Sequence, residues 1–184
     1  MATVEKSVEV NVPLRKAYDQ WTQFESFSQF MEGVKEVRQL DDTHLHWRAE
    51  VGGKEVEWDA EITEQEPDKV IAWRSTSGKQ NDGMVHFEPM GPTQTRIDVQ
   101  IDYDPQGLVE TIGDKLGFTA NRLEGDLERF KKFIEQQPAP TGAYRGEVHG
   151  GPEPATGHNG DLGDTSMADE MNRGGNQPPP MPSA

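Results

Sequence analysis

Two histidines, His44 and His46, stand two residues apart in a stretch that alternates like a β-strand, so both rings project from one face. That geometry suits a metal ion. Arg48 and Glu50 continue the same face, however, and no third ligand stands at a recognisable spacing, so no metal site is expected. His86 alternates with Val85 and Phe87 and is expected to point outward. Cysteine is absent, which excludes a thiolate nucleophile, a disulfide framework and any Cys-based zinc or iron–sulfur site. No Gly-x-Ser-x-Gly elbow occurs. Ser77-Gly78-Lys79-Gln80 is not a phosphate loop, because the first glycine is missing and Gln80 replaces Ser or Thr. What remains is an apolar surface carrying a few polar tips. Trp47, Trp58, Trp73 and Tyr103 each join a large ring to one hydrogen-bonding group able to orient a ligand.

These residues sit on a run of strands. Thr3 to Val12 alternates, and Pro13 ends it. Leu14, Ala17, Tyr18, Trp21 and Phe24 then recur at helical spacing, and a second short helix carries Phe27, Phe30 and Met31 before Gly33. Six strands follow, divided by Asp41-Asp42, Gly52-Gly53, Pro67-Asp68, a polar loop from Ser75 to Asp82, and the turn Pro89 to Pro92. Each strand has one charged and one apolar face, as in an antiparallel sheet solvated on one side. A long helix from Gln106 to about Gln137, entered through Asp104-Pro105, is expected to cover the other side, with a bend near Gly113 and Gly117. The fold class is therefore α+β. The apolar phase comprises Leu45, Trp47, Val56, Trp58, Ile71, Trp73, Val85, Phe87, Val99, Ile101 and Tyr103. It faces Ile112, Leu116, Leu123 and Leu127 of the helix. Periodicity alone favours a filled core over a hollow one.

Composition divides the chain. Of 184 residues, 33 are acidic and 18 basic, a net charge of −15. Residues 138–184 hold 9 of the 19 Gly and 8 of the 13 Pro but, from the large apolar types Val, Ile, Leu, Phe and Trp, only Val148 and Leu162. The expected organisation is a domain over 1–137 and a Gly/Pro-rich acidic tail over 138–184, largely disordered, with Ala143 to Val148 the part able to dock. The acid excess argues against nucleic acid and anionic membrane surfaces as partners. No leader-like start and no apolar run near the ~20 residues of a membrane span are present, so a cytoplasmic location is expected.

Several segments together resemble one family. Tyr18-Asp19-Gln20-Trp21 followed by Phe24 to Val34, Trp58-Asp59-Ala60-Glu61-Ile62, Ile71-Ala72-Trp73-Arg74-Ser75 and Asp126 to Glu135 are similar to bacterial proteins of the START-like (SRPBCC) superfamily labelled polyketide cyclase/dehydrase. The resemblance spans about residues 3–137, with Ser28 where many relatives have proline; Thr141 to Glu147 also resembles a segment that follows the domain in some of them. It implies a helix-grip fold: a curved antiparallel sheet of about seven strands wrapped around a long C-terminal helix, with two short helices after the first strand. It further implies a cavity between sheet and helix for an apolar small molecule: a lipid, a quinone such as coenzyme Q, or a polyketide.

The leading functional expectation is thus a binding or carrier protein for such a molecule, without a cofactor. A cyclase or dehydratase would need an acid or base in the pocket, and the inner phases offer no Asp, Glu or His. Tyr103, with Arg74 and Arg122 if they reach the cavity mouth, are the weak catalytic candidates. A third reading is a protein-interaction module acting through the acidic face or the tail.

Overall fold

Eight strands and two α-helices follow from these patterns in the computed structural model, which describes residues 1–104 and 115–150, with side chains in the last helix described from Thr119 onward. β1 (Ala2–Val10) leads into α1 (Leu14–Trp21) and a short 3-10 helix (Phe24–Gln29). β2 (Val34–Gln39), β3 (His44–Val51), β4 (Lys54–Glu66), β5 (Val70–Gly78), β6 (Asn81–Gly91) and β7 (Gln94–Tyr103) follow. α2 (Lys115–Gln136) and β8 (Val148–His149) complete the set. The expected helix entry at Pro105 and bend at Gly113 lie outside the described residues. The described residues belong to one compact unit, Met1–Pro152.

The sheet order is β1-β7-β6-β5-β4-β3-β2, antiparallel throughout. Its pairing slips between Asp59 and Ala60 and again between Ile62 and Glu64 on β4, and such bulges bend a strand and raise its twist. The second, where Thr63 is the extra residue, also reverses the phase of β4: Trp58, Ala60 and Ile62 are buried, then Gln65 rather than Glu64. The result is a curled half-barrel gripping the C-terminal helix, the expected α+β helix-grip architecture. Leu123, Leu127, Phe130 and Ile134 form the buried stripe of α2, at spacings of four, three and four. Phe130 packs edge-on to Trp21 and Phe30, with centroids 5.0 and 5.1 Å away, so α2, α1 and the 3-10 helix close one end of the core.

The boundary expected at 137 lies later. Asp19, Gln20 and Thr22 on the outer side of α1 are buried because residues 141–145 lie against them. Gln20 and Thr141 exchange two hydrogen bonds, of 2.9 and 3.0 Å, and the Tyr144 amide donates to Thr22 Oγ1 at 3.0 Å. Arg145 spans Asp19 at 2.6 Å and Asp68 at 2.7 Å, with its guanidinium over the Tyr18 ring. Downstream, β8 pairs with β4 at Glu64 and Gln65, beyond where β3 leaves that edge at Thr43. The segment docks through backbone pairing and charge rather than apolar burial, which is why a composition argument assigns it to the tail.

Candidate functional site

Between the inner face of the sheet and α2 lies a cavity of about 180 Å³. Nine of the fifteen expected lining residues surround it: Leu45, Trp47, Trp58, Ile71, Trp73, Val99, Ile101, Tyr103 and Leu123. Val85, Phe87 and Leu127 are instead packed into the filled core, with Phe87 against Tyr18 and Trp21. Val56 packs at the core margin. Ile112 and the Leu116 side chain lie outside the described residues. The expected hollow core is therefore half filled: the part of the inner phase nearest α1 is solid, and the cavity occupies the rest.

The cavity has an aromatic wall. Trp47 and Trp58 are directly opposed across the β3–β4 ladder and stack with centroids 5.5 Å apart and planes 8° from parallel. Phe27 meets Trp47 edge-on at 5.8 Å. Trp21, Phe24, Phe27 and Met31, all from the helical segment after β1, also line the space. Their helical spacing in the sequence marks an apolar face but not that the face reaches a cavity. Trp73 donates from Nε1 to Asn81 Oδ1 at 3.3 Å, so this indole is fixed in orientation. Its ring lies over Gly83, where a Cβ would come within 2.5 Å of the indole and 2.6 Å of the Gln100 carbonyl; only glycine leaves that room.

Polar groups gather toward the α2 side, and most escaped the strand-phase reading because they come from the helix and the loops. Asp126 is buried and lines the cavity. Burial pushes its carboxyl above the usual range, against the opposing pull of the Glu32 amide at 2.8 Å and of Arg129. Arg122 lines the cavity and donates from Nε to the Glu32 carbonyl at 3.0 Å and from Nη2 to the Glu50 carbonyl at 3.1 Å. Arg129 donates to the Phe30 carbonyl at 2.8 Å. The two arginines thus tie the loop before β2, through its Phe30 and Glu32 carbonyls, down onto α2. Gly33 has φ +79°, and a Cβ there would collide with the Arg122 guanidinium, so the tight turn and the arginine clasp share one requirement.

Lys79, between β5 and β6, lines the cavity as well. Burial, with the Arg122 charge nearby, lowers its amine to about 8. Tyr103 lines the cavity and is 3% exposed, and its hydroxyl has no hydrogen-bond partner among the described residues.

Among the weak catalytic candidates, Arg74 is corrected. It lies on the outer face of β5, 62% exposed, and pairs with Glu61 at 2.8 Å, because its neighbours Ile71 and Trp73 take the inward phase. Tyr103 and Arg122 stay at the cavity. The absence of an inward acid is also corrected, by Asp126, which a strand-only phase could not reveal. His44 bonds Asp41 and His46 bonds Asp59 at 2.7 Å; among the described residues no cluster of three metal-ligating side chains forms. Among those residues no helix is long and apolar enough to cross a membrane.

Comparison with known proteins agrees with this architecture. Residues 10–132 match the family model described as polyketide cyclase / dehydrase and lipid transport. An uncharacterized 17.2 kDa protein of Streptomyces lincolnensis is 48% identical over 149 residues, covering 80% of this chain and 99% of that protein. A crystal structure of a Deinococcus radiodurans protein is 30% identical, with a TM-score of 0.57, covering 71% of this chain and 95% of the other. The Zhui aromatase/cyclase from Streptomyces sp. R1128 is 16% identical, with a TM-score of 0.61, over 78% and 99% of the two chains. A START superfamily protein from Mycobacterium smegmatis is 17% identical, also with a TM-score of 0.61, over 73% and 97%. This chain belongs to the polyketide cyclase / dehydrase and lipid transport family and has a START-like fold.

Proposed function

We propose, for this member of the polyketide cyclase / dehydrase and lipid transport family, that the chain is a cytoplasmic binding or carrier protein for an apolar small molecule held between sheet and α2. The observation that carries this reading is the cavity walled by the stacked Trp47–Trp58 pair. Its size narrows the ligand. An apolar cavity of roughly 150 Å³ accepts benzene, so about 180 Å³ suits a body of one or two rings, and a lipid-length chain would have to extend beyond it. A ring-bearing quinone or aromatic polyketide head fits better than an acyl chain. Titration with menadione, a two-ring quinone, tests this. Quenching of tryptophan fluorescence that saturates, and is lost in Trp47→Ala, is expected. Non-saturating quenching together with native mass spectra free of any co-purified small molecule would sink the reading.

A second reading, a polyketide cyclase or dehydratase, is favoured by one observation: the buried Asp126 carboxyl lines the same cavity, held where it could exchange a proton with a bound substrate. The similarity to an aromatase/cyclase points the same way. Accelerated ring closure of a linear poly-β-ketone thioester, abolished by Asp126→Asn, is its expected result. Closure no faster than in buffer would remove it.

A further inference from the structure

The cavity is apolar on its sheet side, yet two of its lining groups are polar, inward and unanswered. Lys79 has no carboxylate partner among the described residues, in a chain with 33 acidic side chains against 18 basic. Lys54 and Lys132 also lack an ion pair, but both are exposed, where water solvates the ammonium at no cost. Lys79 is partly buried against an apolar wall instead. The second group is the Tyr103 hydroxyl, more than nine-tenths buried and without a hydrogen-bond partner among the described residues. A buried hydroxyl left unpaired carries an uncompensated desolvation penalty, so its retention calls for an acceptor that a ligand would bring.

The fold brings these groups to the same end of the sheet. Tyr103 is the last residue of β7 and pairs across the ladder with Asn81, the first residue of β6, and Lys79 lies two residues before Asn81. Arg122 lines the cavity from the facing helix and stands close enough to Lys79 to act on its charge. The acidic groups on this side are already engaged: Asp126 by the Glu32 amide and Arg129, while the Glu32 carboxylate is 72% exposed and 3.7 Å from Arg129. The cavity therefore presents an apolar floor and, at one end, donors in excess of acceptors.

We infer that the ligand is an amphipathic acid, a ring body carrying a single carboxylate that Lys79 and the Tyr103 hydroxyl hold at the β5–β6 end of the cavity. The inference rests on the binding reading above and adds the ligand's chemical class. A carboxylate supplies what the site lacks, since it accepts from an ammonium and a hydroxyl together and balances the positive charges of Lys79 and Arg122. It also holds the amine in its protonated form, because an anion beside an ammonium favours the charged state.

Calorimetric titration of the full chain with 2-naphthoic acid and its neutral isostere 2-naphthamide tests the inference. At about pH 7 the acid should bind roughly tenfold or more tightly than the amide. Lys79→Gln should remove most of that preference while leaving amide affinity within about twofold, and Tyr103→Phe should weaken the acid several-fold. Lys79→Arg should keep the preference at about pH 10, where the wild-type lysine has lost most of it, because a guanidinium does not titrate there. Arg74→Gln, on the outer face, should change neither affinity. Equal binding of the two probes would overturn the acid class and leave the pocket reading standing. Parallel weakening of both by Lys79→Gln would overturn the role of Lys79. Binding of neither probe would overturn both.

Discussion

Replacing Arg145 with alanine removes the one side chain that joins residues 138–150 to both α1 and the β4–β5 turn. Its guanidinium donates to Asp19 at 2.6 Å and Asp68 at 2.7 Å. Asp19 is only 9% exposed in its side chain, and its remaining cation, Arg15, is 3.6 Å away and 73% exposed. Hydrogen bonds to charged groups contribute about 1.5–3 kcal/mol each, while the partial exposure of Asp68 and Arg145, near 30%, reduces the second contact. Stranding a nearly buried carboxylate adds to the loss. The expected destabilisation is about 2–3 kcal/mol. For a unit of roughly 150 residues this corresponds to a fall in Tm of about 5–10 °C, read by thermal and urea unfolding of the full chain. Arg145→Lys should recover about half, since an ammonium cannot span both carboxylates in a fork. A chain ending at Gln137 should lose at least as much as Arg145→Ala, and a chain ending at Gly150 should lose nothing. A change below about 0.5 kcal/mol in Arg145→Ala, or equal stability of the 137-residue and full chains, would refute the docking of this segment as part of the folded unit.

Three further outcomes follow from the same geometry. Phe130→Ala, at a fully buried ring packed on Trp21 and Phe30, should cost about 3–5 kcal/mol, whereas Trp47→Ala, which enlarges an existing cavity, should cost less and act mainly on ligand affinity; urea midpoints of the two variants compare them. Gly83→Ala should displace Trp73 and cost about 1–3 kcal/mol, with a shift in tryptophan emission; unchanged emission and stability would show that the close packing is not needed. Stability of the ligand-free protein should rise between about pH 8 and pH 10. The Lys79 amine is lowered to about 8 in the fold and titrates near 10.4 when unfolded, so the unfolded chain holds more protons across that window. Lys79→Met should flatten this rise and stabilise the protein at pH 7 by about 1–2 kcal/mol, the lysine's partial exposure moderating the effect. An identical pH slope in wild type and variant would refute the assignment.

Strand elements and their inward faces are readable from the chain because alternation is a local property: a period of two places Trp47, Trp58 and Trp73 on one surface wherever the strands go. Periodicity likewise marks the α2 stripe that ends at Ile134. The charged outer face and the order of elements, with the resemblance of the segments around Trp21, Trp58, Trp73 and Phe130, settle the family and the helix grip. What periodicity lacks is depth. Val85 and Phe87 have the same phase as Val99 and Ile101, yet the first pair is packed in the solid core, Phe87 against Tyr18 and Trp21, and the second lines the cavity. The difference is how far α2 and α1 stand from each part of the sheet, and that depends on the curl to which the bulges in the β4–β5 pairing contribute.

The polar half of the site is invisible for a related reason. Asp126 and Arg122 read as members of an ordinary charged helix, and Lys79 as a loop residue; they become site residues only when α2 crosses the sheet and the β5–β6 turn folds beside it. Residues 141–149 look like tail because their few apolar side chains could not order them alone, yet an unpaired edge of β4 and the carboxylates of Asp19 and Asp68 supply partners from distant parts of the sequence. By itself the sequence determined which surface is apolar and which fold presents it. Only the tertiary structure decided where that surface stays hollow and which charges face the hollow, because both depend on distances between elements far apart in the chain.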